Sequence, residues 1–186
     1  GNVMLYAITS FVFLLWGYNI MFGGDGFFLC CVVTEGYIPY AYFFFQMAFV
    51  GKTVSIMSGG VSERIRIVPF MLFAVLMSGF IYPVVGNAIW GGGFLKDVHD
   101  LAGCTVIHSV GGWALLAGIL VLGARRGKYA KDGHVRPIPA SNIPLVTLGA
   151  LLLWIGWFGF NGGSNFHISS QENADLVGLI IVNTNT

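Results

Sequence analysis

Residues 103–123 read GCTVIHSVGGWALLAGILVLG and contain no aspartate, glutamate, lysine or arginine. A helix of about 20 such residues is long enough to cross the roughly 30 Å of hydrocarbon in a membrane. The rest of the chain has the same character, because 56% of its 186 residues are hydrophobic and only 9% are charged. Soluble domains have about 25% charged residues. The sequence therefore predicts an all-α membrane protein rather than a soluble fold.

Four further apolar segments of similar length predict membrane spans near 3–22, 39–60, 67–86 and 143–162, and a sixth span begins near 174. The expected architecture is a polytopic membrane helix bundle with five full spans and the start of a sixth. The chain begins without an initiator methionine and ends inside an apolar segment. We therefore expect residues 1–186 to be part of a single membrane domain that is truncated at both ends.

Basic residues are concentrated in alternate connections. Seven lysines and arginines lie in the loops 61–66 and 124–136, whereas the alternate loops at 23–38, 87–102 and 163–173 contain only Lys96. By the positive-inside rule, the two basic loops are cytoplasmic, and the protein is expected in the cell membrane as a multi-pass protein. The acidic residues favour the opposite side, at Asp25, Glu35, Asp97, Asp100 and Glu172. The net charge of +1 gives no reason to expect nucleic acid as a partner.

His108 lies more than one helical turn inside the fourth span. Three interpretations stay open, because a polar group in hydrocarbon requires a physical reason. The imidazole can be neutral and bonded to a neighbouring carbonyl, or it can line a pore. In the third interpretation it binds a metal with Asp100 and Cys104, since the spacing i, i+4, i+8 would stack the three on one helix face.

Asp100 precedes the start of the same helix, where a carboxylate caps the first N–H groups. A carboxylate at the outer mouth would also favour an arriving cation. The three cysteines, Cys30, Cys31 and Cys104, are an odd set with two adjacent members. They form a poor disulfide framework, and we expect buried and inert thiols.

Aromatic residues are dense in the second and fifth spans. Most are expected in interfacial belts or in helix packing, but rings at the outer end of a pore can bind a small cation over their faces. Trp90, just before Gly91-Gly92-Gly93, is the best placed for this role. Those glycines lack the context of a phosphate loop, and no nucleophile motif is present. The chain is therefore not expected to be an enzyme or to hold a cofactor.

Five sequence strings together are specific: FQMAF at 45–49, SER at 62–64, WGGG at 90–93, DLAGCTVIH at 100–108 and WIGWFGFNGGS at 154–164. Their order, spacing and placement in the spans resemble the Amt/Mep/Rh ammonium transporter family, and the Amt branch most closely. The resemblance implies an eleven-helix fold of two inverted halves that assembles as a homotrimer. This chain would correspond to the second through sixth helices and the start of the seventh.

The resemblance also implies roles for individual residues. Phe45, Trp90 and Ser164 would bind ammonium at the outer mouth, where ring faces and a hydroxyl replace part of its water, and Asp100 would support this site. Phe49 and Phe160 would be the stacked rings that close the pore below it. His108 would be the first of a pair of pore histidines that assist passage of ammonia and relay the proton. The implied partners are ammonium or ammonia and membrane lipid.

Lys52 departs from the family pattern, which has an apolar residue one turn beyond Phe49. Its side chain can snorkel or pair with a neighbour, or it can face the pore, where its charge would oppose a cation. The second case favours an alternative function, an ammonium sensor that is coupled to a fused signalling domain or a cytoplasmic regulator. A metal-dependent membrane enzyme that uses Asp100, Cys104 and His108 is a third hypothesis.

Overall fold

The computed structural model describes residues 2–24, 26–28 and 39–186, and the regular structure of these residues consists of six helices apart from an isolated bridge. Predictions about Cys30, Cys31, Asp25 and Glu35 fall outside the described residues. The helices, in chain order, are α1 Asn2–Phe22, α2 Pro39–Val61, α3 Ile67–Ile89, α4 Cys104–Leu122, α5 Ile143–Gly163 and α6 Gln171–Asn185. Contacts divide the chain into two compact units, residues 1–134 and 135–186.

The predicted spans correspond to helices whose ends lie within three residues of the expected positions. Among the described residues, four helices are long and apolar enough to cross a membrane: α1, α3, α4 and α5. The second predicted span, α2, is a helix of 23 residues but is not among these four, because Gln46, Lys52 and several hydroxyl residues lower its hydropathy. The length of the apolar segments therefore located the spans, although α2 is less apolar than the other four full spans.

The polar residues of α2 are compatible with its position between other helices of the first unit. It packs against both α1 and α4, and its buried residues include Phe49, Val54 and Met57. A helix that is surrounded by other helices presents little of its surface to lipid, so it does not need to be apolar on every face.

Glycines allow α2 to approach its neighbours closely. A side chain at Gly51 would meet the ring of Tyr6 on α1, and a side chain at Gly111 on α4 would come within 2.8 Å of the Thr53 carbonyl oxygen. Membrane helices associate through close van der Waals packing, which small residues permit.

Buried hydroxyl groups are satisfied within their own helices. Thr9, Thr53 and Ser78 each donate to the carbonyl four residues earlier, at 2.9, 3.0 and 2.8 Å respectively. In the absence of water, this bond removes the cost of an unpaired hydroxyl in the membrane interior.

Three helices contain a π-helical turn, at Phe13–Gly17, Met77–Ile81 and Cys104–Ser109. The sequence predicts ordinary α-helix at all three positions. A π-turn adds one residue to a helical turn without a compositional signature, and such turns are frequent at functional sites. The third one carries His108.

The second unit is a pair of capped helices, α5 and α6. The side chain of Asn142 accepts from the Leu145 N–H at the start of α5, and Ser170 does the same for Asn173 at the start of α6. These caps satisfy backbone donors that have no partner within the helix. The two helices are also joined by a hydrogen bond of 3.0 Å from Asn161 Nδ2 to Thr184 Oγ1.

Candidate functional site

Three predicted site residues of the first unit form an aromatic cluster. The ring centroids of Phe45 and Phe49 lie 4.4 Å apart in an edge-on arrangement, and those of Phe49 and Trp90 lie 6.2 Å apart. Phe45 and Phe49 are successive turns of α2, and Trp90 directly follows α3. These distances are typical of favourable aromatic pairs, so the end of α3 and the outer half of α2 share one aromatic surface.

Trp90 is held by the backbone of Asp100. Its indole N–H donates to the Asp100 carbonyl oxygen at 2.8 Å. The tip of the same ring lies against Gly103, since a Cβ on that glycine would come within 3.0 Å of Trp90 Cη2. The hydrogen bond therefore holds the indole nitrogen, the contact with Gly103 holds the opposite end of the ring, and together they fix its orientation.

The carboxylate of Asp100 caps α4. One oxygen accepts from the N–H groups of Gly103 and Cys104 at 2.8 and 2.9 Å, and the other accepts from Thr105 and Val106 at 2.8 and 3.0 Å. The expected capping is observed, but Asp100 acts from three residues before Gly103, which occupies the N-cap position itself. The orphan N–H groups at the start of this helix are thus satisfied by a single side chain.

Gly103 connects the cap to His108. Its φ of 98° lies in the left-handed region, which glycine adopts without strain. Its carbonyl oxygen accepts from the backbone N–H groups of Ile107 and His108 at 2.8 and 3.2 Å. The prediction did not include Gly103, although a glycine three residues after a capping aspartate is a detectable signal.

His108 lies on the π-turn at Cys104–Ser109, and its role stays a prediction. The side chain is partly buried. The π-turn that carries His108 packs against α2, the helix that carries Lys52. This packing is relevant to the pore interpretation, because it brings a helix with a basic residue against the helix of the histidine.

The metal interpretation is not supported by the described part of the chain. No group of three histidine, cysteine, aspartate or glutamate side chains is arranged there to hold a metal ion. The assumption that Asp100, Cys104 and His108 share one helix face was wrong, because α4 begins only at Cys104. The Asp100 oxygens are already occupied by four N–H groups. Cys104 is a free thiol and is exposed, which corrects the expectation of a buried one.

In the second unit, Phe160 and Ser164 lie one turn apart near the end of α5. The Ser164 hydroxyl donates to the Phe160 carbonyl oxygen at 2.7 Å. Because this bond uses the hydroxyl proton, the oxygen presents its lone pairs, as a binding site for an N–H cation requires. The Phe160 ring lies 5.5 Å from that of Trp157.

The capping role of Asp100 gives a first testable prediction. Asp100→Ala leaves four backbone N–H groups without their acceptor, and we expect it to lower the free energy of unfolding by about 2 kcal/mol or more. The measurement is denaturant unfolding of the purified protein in micelles. Asp97→Ala is the control, since Asp97 is exposed in the same loop. An equal loss in both variants would contradict the capping argument.

Four helices of the described residues are long and apolar enough to cross a membrane, and they define the class as a multi-pass membrane protein. Comparison with known proteins agrees. The Ammonium Transporter Family profile matches residues 1–186, and the chain belongs to this family.

Individual relatives are similar along nearly the whole chain. A putative ammonium transporter of Synechocystis is 37% identical over 97% of this chain and 37% of its own length. Ammonium transporter Amt2 of Archaeoglobus fulgidus is 34% identical over 99% of this chain and 42% of its own length. The crystal structure of Candida albicans Mep2 matches with a TM-score of 0.75 at 28% identity, covering 87% of this chain and 39% of that one. The chain thus spans about two fifths of the length of its curated relatives.

Proposed function

We propose that the protein to which this chain belongs carries ammonium across the membrane through a hydrophobic pore. The observation that supports this most directly is the Trp90 ring, which the Asp100 carbonyl oxygen holds in an aromatic cluster with Phe49 and Phe45. The Asp100 carboxylate also caps α4, the helix that carries His108. Residues 1–186 form part of one transporter domain in this proposal, and the complete protein assembles as a homotrimer.

The outer site recruits the cation. Trp90 and Phe45 provide ring faces that attract a positive charge, and the Ser164 oxygen accepts a hydrogen bond from it. The proposal requires these three side chains to meet in the complete protein. Orientation of Trp90 by the Asp100 carbonyl fixes the ring before the ion arrives, so binding does not have to order it.

Passage through the narrow part uses the neutral species. An unpaired cation in hydrocarbon is costly, whereas ammonium can release a proton below Phe49 and Phe160 and continue as ammonia. His108 can accept and donate a proton with its two ring nitrogens, and it passes the proton to a second histidine elsewhere in the complete protein. Potassium carries no proton that it can release, so the pore discriminates against it.

A second candidate function, ammonium sensing, is favoured by one observation. The helix of Lys52 packs against the π-turn that carries His108, and in this candidate the Lys52 charge lies beside the proposed proton path. In this candidate the outer site binds ammonium, passage is slow, and an attached signalling domain or a cytoplasmic regulator responds to the occupied state.

Ammonium binding at the outer site is tested by Trp90→Leu. This change keeps bulk but removes the indole face, so we expect apparent affinity to fall by the equivalent of about 0.5–2 kcal/mol, or roughly 2- to 30-fold. The measurement is the concentration dependence of ammonium-driven current across vesicles that contain the full-length protein, with potassium as the competing cation.

Trp154→Leu is the matched control, because Trp154 is a half-exposed tryptophan on α5 and is not part of the proposed site. Unchanged affinity in Trp90→Leu, or an equal loss in both variants, would contradict the outer site. A current carried equally well by potassium would contradict the transport mechanism.

A further inference from the structure

Gly103 lies where the outer aromatic cluster meets the first turn of α4. A Cβ built on this glycine would stand 2.3 Å from Ile107 Cδ1, 2.7 Å from Ile107 Cγ1 and 3.0 Å from Trp90 Cη2. Carbon atoms in favourable contact are about 3.5–4.0 Å apart. The packing therefore leaves no room for a side chain at position 103.

The backbone of Gly103 is held on both sides and cannot move aside to make that room. Its N–H donates to the Asp100 carboxylate at 2.8 Å, and its carbonyl oxygen accepts from the N–H groups of Ile107 and His108 at 2.8 and 3.2 Å. The bond from His108 spans five residues and closes the π-turn at its start. A displacement of Gly103 would break either the cap before it or the turn after it.

The two side chains that contact Gly103 differ in their freedom to move. Ile107 is completely buried, and side chains in a close-packed interior have little space into which they can shift. Trp90 is only partly buried, and its indole nitrogen is held by the Asp100 carbonyl oxygen. A side chain at position 103 would therefore displace the far end of the indole and tilt the ring.

We propose that Gly103 is a positioning residue for ammonium recruitment, and that the absence of a side chain there sets the angle of the Trp90 ring. The proposal rests on the proposed function, because it concerns the outer site in which Trp90 binds the cation. A cation is attracted to the face of an aromatic ring within about 6 Å of the ring centre, so a tilt changes the angle and the distance at which the two meet. Gly103 itself does not touch the ion and acts through Trp90.

The first test compares Gly103→Ala with Gly92→Ala in vesicles that contain the full-length protein. Both glycines have a positive φ, 98° and 82°, so alanine strains the backbone at either position. A Cβ at Gly92 meets no atom within 4 Å among the described residues, whereas one at Gly103 meets Trp90. Gly103→Ala is expected to raise the half-maximal ammonium concentration of the current by at least about twofold, the lower limit expected for Trp90→Leu. Gly92→Ala is expected to leave it unchanged.

The half-maximal concentration distinguishes positioning from a loss of folded protein. Fewer folded molecules lower the current at every ammonium concentration but do not change the concentration at which it is half-maximal. The double variant Trp90→Leu/Gly103→Ala is expected to match Trp90→Leu, because leucine lacks the Cη2 atom that the added Cβ contacts. Additive losses in the double variant, or equal rises in Gly103→Ala and Gly92→Ala, would overturn the proposal.

A second variant serves if Gly103→Ala does not fold. Gly103→Ala/Ile107→Ala removes the two isoleucine atoms nearest the added Cβ and keeps the contact with Trp90. It is compared with Ile107→Ala alone, and its half-maximal ammonium concentration is expected to be at least about twofold higher. Equal values in these two proteins would overturn the proposal.

A second readout uses no ammonium and therefore separates this proposal from the proposed function. The emission of Trp90 is measured as the difference between each protein and the same protein with Trp90→Leu. Acrylamide is expected to quench this emission more strongly in Gly103→Ala than in the wild type, because the displaced end of the ring is no longer packed against α4, and Gly92→Ala is expected to behave like the wild type. Wild-type quenching in Gly103→Ala would overturn the positioning role. Stronger quenching combined with an unchanged ammonium affinity in Trp90→Leu would exclude the outer site and not the positioning of the ring.

Discussion

Lys52→Ile is expected to raise ammonium flux by at least tenfold. Phe49 and Lys52 are separated by three positions on α2 and so lie on neighbouring parts of one helix surface. The helix of Lys52 packs against the π-turn of His108, and a positive charge that faces the proposed path would oppose both a cation and a proton there. About 1.4 kcal/mol of barrier is worth a factor of ten in rate, and a charge in a poorly solvated site contributes a few times that amount.

The measurement is ammonium-driven current or uptake in vesicles reconstituted with the full-length protein. Lys52→Arg keeps the charge and is expected to leave the flux at the wild-type level. Lys96→Ile removes an exposed lysine from the loop before α4 and controls for the loss of a charge elsewhere. High flux in the wild type with no gain in Lys52→Ile would exclude the sensor function as argued from this residue.

His108→Ala is expected to reduce conduction by about 100-fold or more, since proton transfer by a positioned side chain contributes about 10²- to 10⁴-fold. The imidazole belongs to the π-turn at the start of α4, the helix that the Asp100 carboxylate caps. Its removal leaves no imidazole at this point of the path, while the outer site with Trp90 remains in place. We therefore expect ammonium to bind with nearly unchanged affinity and to pass slowly.

The control is His99→Ala, which removes an exposed histidine from the loop that precedes α4. Unfolding and assembly of the His108→Ala protein are measured alongside its flux. A variant that conducts like the wild type would exclude a role in the pore. A variant that fails to fold, while His99→Ala folds normally, would favour the interpretation of His108 as a packing residue.

The helices were predictable because each span is a long segment with few charges. The ends of α3 and α5 are marked by the polar and glycine-rich stretches after Ile89 and Gly163. The polar residues of α2 lower its hydropathy, and they are tolerated because α1 and α4 cover much of this helix. Hydropathy therefore indicates which helices can face lipid, but it does not predict which helices pack against one another.

The candidate site was predictable only in part. A capping aspartate is a local signal, and Asp100 does cap α4. The hydrogen bond from the Trp90 indole to the Asp100 carbonyl oxygen depends on how the intervening loop folds. The sequence contains no pattern that predicts this contact. The placement of Asp100, Cys104 and His108 on one face was wrong because it assumed that regular helix begins before Cys104. The relation of Trp90 to Ser164 stays a prediction.

The π-turn at Cys104–Ser109 also has a consequence for insertions and deletions in this helix. A helix with a π-turn contains one residue more than an α-helix that spans the same distance. Deletion of one residue between 104 and 109 would let the helix close as regular α-structure. The parts of the chain on either side, with Asp100 before the turn and Val110 after it, would then keep their relative rotation. Only the side chains inside the turn, His108 among them, would change direction, so such a deletion separates the direction of the imidazole from the continuity of the span.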